Sequence, residues 1–155
     1  VRITFNLPHA FYPGSHPAQN GDVLRALLDC LIDVNVAFLR DHSVPALYRS
    51  GVVYGRTTLW DSIPALYTPK TPQEIAAIRA EGFYIPREIE GHAFGDCKSL
   101  SAALIAQYRV SGIAAVPCFR WIHREDGSGE LDYHILVQTA HKFEDPSKVC
   151  GMKEE

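Results

Sequence analysis

Gly95-Asp96-Cys97-Lys98-Ser99-Leu100-Ser101-Ala102-Ala103-Leu104 is the stretch that decides how this chain folds. Leu100, Leu104 and Tyr108 recur at i, i+4 and i+8 through an alanine-rich run that ends at Gly112. That is the pattern of a helix with a glycine just past its last turn. Asp96 has the side chain of an N-cap, so Cys97 opens the helix. A thiol is a useful nucleophile only as thiolate, and the partial positive charge and free N–H groups of a helix start favour that form. The same N–H groups can stabilise the oxyanion of a tetrahedral intermediate. The Asp96 carboxylate opposes ionisation of the thiol unless it is committed to the cap, and the cap is the role assigned to it. Taken alone, a cysteine in an amphipathic helix is a small buried hydrophobe; a histidine and an aspartate nearer the C-terminus change that reading.

Downstream, Ile113 to His123 and Leu131 to Thr139 are rich in β-formers and flank Arg124-Glu125-Asp126-Gly127-Ser128-Gly129, a turn sequence. They predict a hairpin, with a third strand near Lys142 to Asp145. If the turn after Thr139 has two or four residues, Leu136 stands opposite Asp145, and the period-2 alternation puts His134 on the same face as both. His134 and Asp145 are then diagonal cross-strand neighbours, about 7–8 Å apart at the backbone, close enough for carboxylate to meet imidazole. A three-residue turn breaks that register. The result is a base held by an orienting acid, needing only to face the helix start that carries Cys97.

Upstream, Asp22 to Asp41 places Leu24, Leu27, Leu28, Leu31, Phe38 and Leu39 at helical spacing, with Arg25, Asp29, Asp33 and Arg40 opposite, which predicts an amphipathic helix. Val1 to Leu7 alternate like a strand and lack the continuous apolar core of a signal peptide. Ser43 to Tyr67 mixes Pro, Gly and aromatic residues and fits irregular or short extended structure. Thr71-Pro72-Gln73-Glu74 combines a capping box with Pro at the first helical position, predicting a short helix to about Glu81 that stops at Gly82.

The 155 residues are enough for one domain and one core, and 46% hydrophobic with 21% charged residues is ordinary for a globular protein. A formal net charge of −3, with 15 scattered basic residues, argues against nucleic acid as a partner. The best apolar segment is broken by Asp29, Asp33 and Arg40 and falls short of the roughly 20 residues that span a bilayer, so no membrane is expected. Cys30, Cys97, Cys118 and Cys150 are irregularly spaced in a chain too apolar to need stapling and read as reduced thiols in an intracellular setting. His123-Arg124-Glu125 and Pro117-Cys118 superficially match a zinc deaminase signature, but the order is reversed and the second cysteine missing. No metal and no cofactor are expected.

Gly95 to Leu104 with Gly112-Ile113-Ala114-Ala115 resembles the nucleophile helix and first strand of the transglutaminase-like superfamily. Tyr133-His134-Ile135-Leu136-Val137 and Glu144-Asp145-Pro146-Ser147-Lys148, closing with Gly151-Met152, resemble its histidine and aspartate strands. Pro45 to Tyr54 and Trp60-Asp61-Ser62-Ile63-Pro64 are similar to a subgroup of small proteins from bacteriophages and prophages. The resemblance implies a triad of Cys97, His134 and Asp145, with a second oxyanion donor to be sought among Trp60, Tyr54 and His92. It also implies an extra segment over roughly 67–92, between the N-terminal part (1–44) and a catalytic core at 93–152.

The expected architecture is α+β, a transglutaminase-like or papain-like cysteine enzyme fold whose nucleophile helix packs on an antiparallel sheet. The expected chemistry is thiolate attack on a peptide or carboxamide carbonyl, leading to hydrolysis or transamidation. Its substrate would be a protein or peptide, peptidoglycan peptides included. The alternative is a phage virion or assembly component that binds phage structural proteins through this fold without turnover. The location would be the host cytoplasm or the phage particle.

Overall fold

The computed structural model describes residues 17–55, 87–89, 92–123, 127 and 131–153. In chain order these form α1 (Pro17–Asp41), a 3-10 turn (Leu47–Arg49), β1 (Val53–Tyr54), β2 (Arg87–Ile89), β3 (His92–Gly95), α2 (Cys97–Val110), β4 (Ala115–His123), β5 (Leu131–Thr139), β6 (Phe143–Glu144) and α3 (Pro146–Val149). The class is α+β, with a central helix packed against an antiparallel sheet. The expected strand at 1–7, the helix from Thr71 and the turn residues on either side of Gly127 lie outside the described residues.

Helix α2 is the centre because its sequence lets neighbours approach from two sides. Leu100, Leu104 and Ile105 supply bulk, and Ser101, Ala102, Ala103 and Ala106, all buried, keep the surface low enough for α1 on one flank and the β4–β5 hairpin on the other. α1 meets it with Leu28, Leu31 and Ile32. The expected apolar stripe of α1 is the one buried, and Asp33 faces solvent. The helix begins at Pro17, five residues before the start expected from periodicity, because proline suits a first helical position and leaves no apolar signal. At the far end of α2 the Ile113 N–H donates to Tyr108 O at 2.8 Å and Gly112 takes φ +79°, the left-handed turn that glycine adopts without penalty.

Strands β4, β5 and β6 run in that order, antiparallel throughout, with Ala115 opposite Thr139 at one end of the hairpin and His123 opposite Leu131 at the other. Alternation sends Ala115, Ile135 and Val137 inward against α2. Val137 pairs with Glu144 and Gln138 with Phe143. The turn closes where Thr139 N–H donates to Lys142 O at 3.0 Å, so two residues connect the strands and Leu136 stands opposite Asp145. A second, small sheet orders β1-β3-β2, with β1 parallel and β2 antiparallel to β3. Residues 87–89 therefore join the strand that leads into α2. Gly95 ends that strand, and a Cβ there would come within 3.1 Å of the Ser99 Cβ and 3.3 Å of the Leu100 side chain, so the small residue permits the tight entry into α2.

Glu144 ties three elements together. It accepts from Tyr48 Oη at 2.6 Å and Tyr108 Oη at 2.7 Å, and pairs with Lys142 Nζ at 2.6 Å. Partial burial alone would raise its pKa, but these donors and the Lys142 charge outweigh it and hold the carboxyl below its ordinary value. A carboxyl depressed on folding stabilises the protein above its unfolded pKa, and that contribution is lost as pH falls through the folded value. Glu144→Gln is expected to cost about 1 kcal/mol at neutral pH and to flatten the acid limb of stability, measured by urea unfolding from about pH 7 down to about pH 3. An unchanged acid limb would remove Glu144 from the acid-labile part of the fold.

Candidate functional site

Three elements converge on the start of α2, and each arrives through a local rule. In an antiparallel strand alternate residues direct their N–H and C=O to opposite sides. Thr139 bonds Lys142 on the β6 side, so Val137 and Ile135 point the same way. β6 pairs with Val137 and Gln138, which leaves Ile135 facing past its end. The first turns of α2 fill that place. Ser101 Oγ donates to Ile135 O at 3.1 Å, and the Ile135 N–H hydrogen-bonds the Cys97 sulfur. Cys97 and Ser101 are four apart and share a helix face, so one strand residue holds both.

His134, next to Ile135, lies on the other face of the strand together with Leu136 and Asp145, as expected from the register. Its Nε2–H donates to Asp145 Oδ2 at 2.9 Å, with only 15% of the histidine side chain and 17% of the aspartate exposed. A carboxylate only accepts, so this bond puts the proton of the neutral ring on Nε2 and leaves Nδ1 with a lone pair. Asp145 is itself fixed. Its Oδ1 accepts from Ser147 N at 3.1 Å and Lys148 N at 3.2 Å as the N-cap of α3, whose first residue is Pro146.

Asp96 divides its oxygens in the same manner. Oδ1 caps α2 by accepting from Lys98 N at 3.0 Å and Ser99 N at 3.1 Å, while Oδ2 pairs with Lys98 Nζ. The assignment of Asp96 to the cap therefore agrees with the structure. The expectation of a thiol poised toward thiolate does not. Cys97 is only 8% exposed, its neighbours include the apolar core, and its pKa is pushed up to about 11. Burial is the largest cause, and the Asp96 charge is the next; Lys98 and the Ile135 N–H act the other way, and Asp145 adds to the rise. Loss of water around the sulfur outweighs what the helix start supplies. At neutral pH the thiol is protonated.

Of the other residues that the sequence points to, Tyr54 is half-buried and stands opposite Gly95 in the parallel pairing of β1 with β3, two residues before the thiol. His92 begins β3 and only its backbone is described; Trp60 lies outside the described residues. Lys98, Ser101, Tyr133 and the Ile135 backbone join the site without having been expected there. Ser101 is detectable at i+4 from Cys97, and Lys98 as a cation in the first turn of a helix, where the dipole disfavours it. The Ile135 backbone groups carry no side-chain signature.

Among the described residues no group of three or more His, Cys, Asp and Glu side chains gathers as metal ligands, and no helix is long and apolar enough to cross a membrane. All four cysteines are unbridged. No family model, curated protein or solved structure matches the chain.

The divided duties of Asp145 separate by substitution. Asp145→Ala is expected to destabilise the protein by about 1–2 kcal/mol through loss of the α3 cap, whereas Asp145→Asn, which retains a capping oxygen, costs less than half as much. Thermal or urea unfolding of the two variants measures this, and equal losses would show that the cap contributes nothing.

Proposed function

We propose that this protein is a cysteine-dependent amide or peptide hydrolase, or an acyl transferase, of transglutaminase-like fold. The observation that carries the reading is the hydrogen bond from His134 Nε2 to Asp145 Oδ2, beside a strand residue whose N–H reaches the Cys97 sulfur. A helix-start thiol, a strand histidine and a following aspartate, in that chain order, support the family resemblance.

In this reading His134 Nδ1 takes the thiol proton as the sulfur attacks the substrate carbonyl carbon, because a thiol with a pKa of about 11 supplies almost no thiolate of its own at neutral pH. Asp145 holds the ring and stabilises the imidazolium. Asp96 takes the Lys98 and Ser99 N–H groups, so the Cys97 N–H is the first-turn donor of α2 left to offset the charge on the oxyanion, with Tyr54 as the nearest of the expected side-chain donors in register. Collapse of the intermediate breaks the C–N bond, and the imidazolium returns its proton to the departing amine. The thioester left on Cys97 is released by water or by a second amine. The substrate class is a peptide or protein carboxamide, cell-wall peptides included.

A phage particle or assembly component that uses the same fold only for binding is the second reading. The buried, protonated state of Cys97 favours it.

p-Nitrophenyl acetate, a small activated acyl donor, separates the two. The enzyme reading predicts an acetyl group mapped by mass spectrometry to Cys97, formed about 10²-fold more slowly in His134→Ala and absent in Cys97→Ala. Acetylation spread over Cys30, Cys118 and Cys150, at a rate indifferent to His134, supports the binding component instead.

A further inference from the structure

Lys98 is in a costly position. It occupies the first turn of α2, where the helix dipole opposes a positive charge, and its side chain is 11% exposed. Burial draws its pKa down, yet the Asp96 carboxylate, with Tyr133 and Cys97, more than reverses this, so the ammonium keeps its charge. The geometry that holds it is closed. Asp96 Oδ2, on a carboxylate with 6% of its side chain exposed, pairs with Nζ, and the Tyr133 ring centroid lies 5.9 Å from Nζ on the strand side. Tyr133 is in turn packed edge-on against Trp121 at 5.8 Å and tilted against Phe119 at 6.4 Å. A lysine serving only solubility would extend into water. Here the cation is fixed at the residue next to the thiol.

Among the described residues, the charged and titratable groups around the sulfur are few. From α2 and its cap come Asp96 and Lys98, from β5 comes Tyr133, and from the residue before α3 comes Asp145, which is bonded in turn to His134 on the other face of β5. Asp96 is needed for the cap, and its full negative charge then sits beside the nucleophile. Of these groups, Lys98 is the one both cationic at neutral pH and locked against Asp96.

We infer that Lys98 is a positioning residue for the nucleophile, the fixed counter-charge that offsets part of the negative potential which the aspartate cap of α2 places on Cys97. The inference rests on Cys97 being the reactive group proposed above, but its readout is ionisation and requires no substrate. Lowering of the thiol pKa by Lys98 and raising of it by Asp96 agree with this balance. The pair works as a unit: remove the anion alone and the thiol faces an unopposed cation; remove the cation alone and it faces an unopposed anion.

The test is the pH profile of Cys97 alkylation by iodoacetamide, resolved by peptide mass spectrometry. The Cβ chemical shift of isotope-labelled cysteine is read alongside, since it tracks ionisation whatever the access to the sulfur. In the unaltered protein the rate climbs with pH toward a midpoint of about 11. Asp96→Asn, which keeps a capping oxygen, is expected to move that midpoint down by at least about one unit and to raise the rate at about pH 8 by about tenfold. Adding Lys98→Met to Asp96→Asn reverses the shift. This double variant removes both charges together, so no unpaired charge is left buried to unfold the protein. Lys98→Arg alone keeps the original profile. Superimposable profiles for Asp96→Asn and the double variant, or no shift in either, would overturn the role of Lys98. A shifted profile with no acetyl-enzyme would leave the charge balance intact and remove the enzyme reading; an acetyl-enzyme with unshifted profiles would do the reverse.

Discussion

The backbone of Ile135 points past the end of β6, and the arrangement of the site depends on what meets it. A strand edge with open N–H and C=O groups inside a protein must find partners. Here the C=O is taken by Ser101 Oγ and the N–H by the Cys97 sulfur, so the start of α2 is docked as though it prolonged the sheet. The short length of β6 makes this possible. Two paired residues leave the edge open at Ile135 and, on the opposite face, bring Asp145 beside His134. The thiol, the imidazole and the carboxylate are thus set by one strand and its incomplete neighbour.

Two aspartates share a design. Each gives one carboxylate oxygen to the N–H groups of a helix and the other to a nitrogen-bearing side chain: Lys98 for Asp96, His134 for Asp145. A cap that also grips a side chain fixes the orientation of that side chain through the rigidity of a helix end, where a flexible surface pair would not. The cost is negative charge near a sulfur already stripped of water, and the raised thiol pKa records it. Burial and this charge together favour the neutral form of the Cys97 thiol.

Much of this is legible in the residues. The β5 limits, Leu131 and Thr139, are those expected from β-former content, and the two-residue turn that brings His134 to Asp145 is one of the two lengths that the register allows. Helix α2 announces itself by its cap, its leucine spacing and its glycine stop. The small sheet does not. Strands of two to four residues are too short for alternation to rise above chance, and β1 finds its partner across about forty residues of chain. The ionisation of Cys97 escapes the sequence for a different reason. The helix-start effect is local and readable, whereas the burial that overrides it depends on how α1, β5 and the core close over the sulfur. Lys98 gives only a weak signal, a cation in the first turn of a helix, because a lone lysine in sequence is ordinarily a solvated one.

The claim on which the catalytic account stands is spatial: the lone pair on His134 Nδ1 must be able to reach the Cys97 proton. A crystal structure of the protein with a small acyl or alkyl group on Cys97 measures this most directly. The account predicts Nδ1 within about 3–4 Å of the sulfur, with Nε2 still on Asp145. A ring that keeps its Asp145 bond but turns Nδ1 to solvent, with the sulfur sealed among Leu100, Ile135 and the α2 alanines, would contradict it.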